Sequence, residues 1–143
     1  MKVKHLAPQF VESFPGKLEP GEIYLAMEFA TAAHLCACGC GTKVITPFSP
    51  TDWQMSFDGE DVSLKPSVGN WTFPCRSHYW VRSGRIEWAG DMSQEAINAG
   101  RKRDAEAKAR LQVAKPSGET HQPVPTLQSE LSLFEKLRKW LGL

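Results

Sequence analysis

The chain has 143 residues, 41% hydrophobic and 23% charged, with a formal charge of +1. That length fits one domain with an appendage, and 17 basic against 16 acidic residues leave no global field to hold a nucleic acid by its phosphates. No apolar run approaches the roughly 20 residues a membrane span needs, and Met-Lys-Val-Lys-His-Leu-Ala-Pro at the start has charge but no apolar stretch behind it, so a cytoplasmic setting without a secretory signal is expected.

Along the chain, Ile23, Leu25 and Met27 alternate with Tyr24, Ala26 and Glu28, the period-two pattern of a half-buried strand. Ala26 to Leu35 has room for one turn of helix. Lys43 to Thr46 reads as a short strand before Pro47. Trp53, Met55 and Phe57 alternate ahead of the turn dipeptide Asp58-Gly59, and Val62 to Leu64 completes a hairpin. His78 to Val81 and Arg85 to Trp88 flank Ser83-Gly84, a second hairpin. Composition then changes near Gly90, for residues 1–90 hold all four cysteines and four of the five tryptophans.

After Gly90, Ser93-Gln-Glu-Ala begins like a capped helix, predicted over residues 93–114, with a charged, solvated face. Residues 115–126 are polar and rich in proline and glycine, which predicts a linker. Leu127, Leu131, Phe134 and Leu141 recur at helical spacing, an amphipathic helix over 127–141 expected to dock on its own domain. The expected fold is mainly β: a small sheet or partial barrel over residues 1–90, with a helical extension over 91–143. A core of about 90 residues is modest and is often helped by a metal.

Cys36-Ala-Cys38-Gly-Cys40-Gly41, with Cys75 downstream, supplies four thiols in a reducing setting, where metal ligation is favoured over disulfides. Four thiolates suit tetrahedral zinc in a closed, structural site. In a straight strand the three clustered sulfurs would spread along one face, but Gly39 and Gly41 let the backbone curl around one ion, and Cys75 would then clip a later segment to the loop. Buried thiols without metal are the alternative, and His34 is an alternative ligand.

Ser67 lies in Pro66-Ser-Val-Gly69-Asn70, read as a rigid turn that presents a hydroxyl and leaves backbone N–H groups near Gly69 and Asn70 free for an oxyanion. His78 opens the next strand. Ser77 adjoins His78, so their side chains point to opposite faces, and Ser67 is the better partner for the imidazole. No acidic third member stands out, since Asp58, Glu60 and Asp61 fit the hairpin turn. A dyad, oriented by a backbone carbonyl or Asn70, is what the residues allow. Taken alone the signal is weak, because such a serine usually caps a turn and a strand histidine is usually structural, and the same residues describe a zinc-stabilised protein-binding module that cleaves nothing.

In combination, Glu22 to Leu25, Ala33 to Gly41, Ser49 to Trp53, Val62 to Trp71 and Cys75 to Trp80 resemble a small bacterial family of Ser–His serine proteases from ubiquitination-like (Bub-type) operons. The resemblance spans roughly residues 20–90. It implies processing or deconjugation of a ubiquitin-like protein, with E1-like and E2-like proteins as further partners and antiphage defence as the setting. It places the nucleophile at Ser67 and the base at His78, with Ser77 and His34 as fallback assignments, and zinc on Cys36, Cys38, Cys40 and Cys75. Neither nucleic acid nor membrane is implied as a partner.

Overall fold

Eight short strands form two four-stranded sheets in a computed structural model that describes residues 1–114. The linker and amphipathic helix expected over 115–126 and 127–141 lie outside the described residues. The first sheet orders β1 (Ala7–Phe10), β2 (Glu22–Ala26), β3 (Thr31–Leu35) and β4 (Lys43–Pro47), with β1 parallel to β2 and the other pairs antiparallel. The second is an antiparallel meander of β5 (Gln54–Phe57), β6 (Val62–Gly69), β7 (His78–Arg82) and β8 (Arg85–Trp88). A helix, α1 (Gln94–Ala114), follows. The architecture is mainly β, as the sequence predicts, without a closed barrel.

The N-terminal segment joins the sheets. Leu6 N–H donates to Gly84 O at 2.8 Å and Ile86 N–H to Lys4 O at 2.9 Å, after which the chain passes directly into β1 beside β2. Inward side chains of both sheets share one core, in which Leu6, Ile23, Leu25, Val62, Leu64, Val68, Tyr79 and Val81 are each at most 1% exposed. Burying each such aliphatic side chain contributes about 1.5–3 kcal/mol.

Both predicted hairpins form. The Asp58 carboxylate accepts the N–H groups of Glu60 and Asp61 at 2.9 and 2.7 Å, which closes the first. Ser83 and Gly84 have φ of 46° and 73°, the left-handed pair of a two-residue hairpin turn. Strand β2 departs from the expected alternation, being buried on both faces. Ile23 and Leu25 enter the main core, while Tyr24 packs with Leu18 and Ala33 in a second cluster beneath the 11–20 segment. The turn expected after Ala26 is a 3₁₀ turn, Met27–Phe29.

The return strand of the first hairpin, β6, runs well beyond Leu64. Leu64 pairs with Val81 and Val68 with Tyr79, so Lys65, Pro66 and Ser67 stand opposite Trp80 alone. Such a bulge lifts residues out of the ladder and re-aims their side chains, and proline, which has no N–H to donate, is tolerated there. Ser67 therefore sits on a bulged strand, where a turn was expected.

Residues Met1–Ala109 form one compact unit that includes most of α1. Ser93 caps the helix, its Oγ accepting Ala96 N–H at 3.2 Å. Ile97 is its buried residue, and Lys108 Nζ lies 2.8 Å from Asp52 Oδ1. Among the described residues no helix is long and apolar enough to cross a membrane.

Candidate active site

Adjacent antiparallel strands place the candidate nucleophile Ser67 and the candidate base His78. Gly69 on β6 is registered against His78 on β7, so Ser67, two residues earlier, lies diagonally across from the imidazole. The bulge brings Ser67 Oγ to 2.8 Å from His78 Nε2. On the other side of the ring, His78 Nδ1 lies 2.8 Å from the carbonyl oxygen of Gly90. A carbonyl only accepts, so Nδ1 carries the proton and donates it. Nε2 is then the acceptor for the Ser67 hydroxyl. That tautomer is the one a general base needs.

Several contacts fix the orienting carbonyl. Ala89 N–H donates to His78 O at 2.9 Å, which continues the β7–β8 ladder to the residue before Gly90. Arg76 reaches the following residues, with Nη2 3.2 Å from Asp91 Oδ1 and 3.4 Å from Met92 O. The same guanidinium lies over Trp71, whose ring centroid is 4.9 Å from that of His78. Gly69 makes this packing possible: a Cβ there would collide with Nε1 of Trp71 and come within 2.9 Å of Cε2.

Ser67, Gly69 and His78 open into a cleft of about 310 Å³. Trp53, Trp71 and residues Ala96, Ile97 and Gly100 of α1 also line it. Backbone donors near Ser67 divide between two directions. Asn70 N–H is engaged with Ser77 O at 2.8 Å. In an antiparallel ladder the preceding residue then turns its N–H away from β7, and the β5 ladder, which ends at Gln54 opposite Lys65, does not extend to Gly69. Of the two residues expected to serve an oxyanion, Gly69, which lines the cleft, thus has its N–H turned away from β7. Asn70 is occupied elsewhere, for its side-chain Nδ2 lies 3.6 Å from Cys36 Sγ.

The four cysteines converge. Their Sγ atoms all lie within 4.8 Å of one another, with 3.5 Å between Cys36 and Cys38 and 3.9 Å from Cys75 to both Cys36 and Cys40. A tetrahedron of sulfurs at the usual zinc–thiolate distance has edges of about 3.8 Å, so the cluster could bind zinc. A disulfide needs about 2.05 Å, and all four cysteines are free. Polar neighbours surround the sulfurs as they do in metal sites: Ser77 Oγ is 3.1 Å from Cys75 Sγ and 3.3 Å from Cys36 Sγ, and Thr42 Oγ1 is 3.3 Å from Cys40 Sγ. Burial pushes the Cys36 thiol up to about 12, while hydrogen bonding to Thr42 brings exposed Cys40 down to about 6. A bound dication is the physical remedy for a buried thiolate such as Cys36.

The fallback residues lie elsewhere. Ser77 is 5% exposed and faces the sulfurs, on the side of the strand opposite to His78. His34 is fully buried in the core with Nε2 2.7 Å from Tyr79 Oη, and burial lowers its pKa to about 4. The Gly90 carbonyl, which accepts from His78 Nδ1, is a partner that no residue type announces. The change of composition at Gly90 was the nearest signal in the sequence.

A family model described as the bacterial ubiquitination-like system serine protease (BubE) matches residues 10–89. The chain belongs to the BubE family. The matched span holds all four cysteines, Ser67 and His78, and stops one residue before the carbonyl that orients the imidazole. No curated protein and no solved structure matches the chain.

Proposed function

We propose that this member of the BubE family is a serine peptidase whose Ser67–His78 dyad cleaves at the C-terminus of a bacterial ubiquitin-like protein, in a precursor or in a conjugate. The observation that carries the reading is the hydrogen-bonded series from Ser67 Oγ to His78 Nε2, and from Nδ1 to Gly90 O, opening on a cleft. Ser67 Oγ attacks the scissile carbonyl carbon while its proton passes to Nε2. The tetrahedral oxyanion accepts the Gly69 N–H, and its collapse breaks the C–N bond as Nε2 returns the proton to the leaving amine. Water then repeats the sequence on the acyl-enzyme, regenerating the serine and releasing a carboxylate. Removal of one side-chain donor from an oxyanion hole costs about 2.7–4 kcal/mol in other enzymes, which sets the scale for a backbone N–H in that place.

Cys36, Cys38, Cys40 and Cys75 would hold a structural zinc. When bound, it cross-links the 36–40 loop to the β6–β7 connection three residues before His78. The four cysteines are absent from the cleft lining, which supports rigidity as the metal's role. A cleft of about 310 Å³ lined by Trp53 and Trp71 suits an extended tail of small residues. The test is incubation with a ubiquitin-like protein of a bacterial ubiquitination-like system, carrying a C-terminal extension or an amide-linked target. Cleavage by the wild type, lost in Ser67→Ala and His78→Ala and retained in Ser77→Ala, is the expected result. Cleavage by Ser67→Ala at the wild-type rate would overturn the assignment, and binding without cleavage would make the domain a recognition module.

A further inference from the structure

The family match ends at residue 89, yet the wall of the cleft facing the dyad is built from α1. Four charged residues line that cleft: Asp52, Asp104, Arg101 and Arg103. With Lys108 beside them, three cations stand against two carboxylates, which leaves a net charge of +1. Asp52 Oδ1 lies 2.8 Å from Lys108 Nζ, and Asp104 acts on the same group through space. The two guanidinium groups have no such partner among the described residues, and both are exposed. Arginine presents a planar fork that matches a carboxylate with two parallel hydrogen bonds. A cleft bounded by low-dielectric walls concentrates the field of such charges on whatever enters it.

We propose that Arg101 and Arg103 are specificity-determining residues that bind an acidic side chain of the substrate near the bond cleaved. This rests on the peptidase reading of Ser67 and His78, and it adds a chemical class, since the cleft then selects a tail or target bearing glutamate or aspartate over a neutral one. Lys102, between them on α1, does not line the cleft, so the selection belongs to two positions rather than to a basic helix in general.

The test uses the full chain and two matched series of peptide fluorophosphonates, which differ only in glutamate or glutamine at successive positions. The rate of covalent labelling is measured at low and high salt. In the wild type the best glutamate probe should react about tenfold faster than its glutamine twin at low salt, with the advantage shrinking as salt rises. The ratio should fall to about one in R101Q/R103Q and below one in R101E/R103E, while K102Q keeps the wild-type ratio. Circular dichroism checks that the surface variants are folded. Equal labelling by both series at every position in the wild type would overturn the specificity while leaving the peptidase reading intact. An unchanged ratio in R101Q/R103Q would do the same. Absence of labelling by either series would sink the peptidase reading itself, and the specificity with it.

Discussion

Gly69→Ala isolates the packing that holds the His78 imidazole. The glycine has no left-handed φ, so alanine meets no backbone strain there, and the effect must come from space. The new Cβ would collide with Nε1 of Trp71 and lie 2.9 Å from Cε2 and 3.2 Å from Cδ1. Since the indole is a rigid plane packed beside the His78 ring and the Arg76 guanidinium, it can yield only by leaving them. Overpacking of this kind costs about 1–3 kcal/mol. Loss of the ring contact with His78 adds about 0.5–1.5 kcal/mol. A misplacement of the imidazole on the order of 1 Å slows an oriented proton transfer by about a hundredfold.

A double-mutant cycle with Trp71→Ala reads this directly in urea unfolding and in fluorophosphonate labelling. In the Trp71→Ala background the clash is gone, so Gly69→Ala should become neutral or slightly stabilising, a coupling of about 1–3 kcal/mol. Equal destabilisation by Gly69→Ala in both backgrounds would refute the steric account of this glycine.

Three further outcomes follow. Removing bound metal with a chelator should lower stability by about 4 kcal/mol relative to protein held at a thousandfold excess of zinc over its dissociation constant, with labelling of Ser67 lost as the fold loosens and restored on zinc return; full labelling and stability after verified metal removal would contradict a structural site. Cys75→Ser should act more on labelling than a change at exposed Met27, because Cys75 anchors the segment that leads into His78; equal effects would remove that link. His34 titrates at about 4 when folded because it is buried, against about 6.5 unfolded, so the unfolded chain binds the proton first. Its contribution is complete above about pH 6.5, declines by about 3 kcal/mol as pH falls to about 4, and is flat below. In urea unfolding, the wild-type minus His34→Gln difference should show that slope, and a difference curve flat from pH 7 to 4 would contradict it.

The strands with alternating or β-branched residues were legible in the sequence, as were both hairpin turns, because local chemistry decides them. Strands β1 (Ala-Pro-Gln-Phe) and β3 (Thr-Ala-Ala-His-Leu) carry no such alternation and form because neighbouring strands complete their ladders. Pro66 made β6 look finished at Leu64, whereas a bulge carries the strand through Ser67 to Gly69. Strand alternation separated Ser77 from His78 correctly, and the structure puts Ser77 among the sulfurs. The pairing of Ser67 with His78 came from the family resemblance and from excluding Ser77, with Ser67 read on a turn, whereas the structure brings the two together as residues of adjacent strands. The role of Gly90 did not, since every residue has a carbonyl and only the fold selects this one. Asn70 looked like an oxyanion donor for the same reason: sequence names the groups present, and the ladder decides which of them are already engaged.

Mass-spectrometric mapping of a fluorophosphonate adduct tests the central claim most directly. Displacement of fluoride at phosphorus needs an activated hydroxyl, so the adduct should lie on Ser67 and form at least about a thousandfold more slowly in a folded His78→Ala protein. An adduct on another serine, or labelling of Ser67 at an undiminished rate without His78, would contradict it.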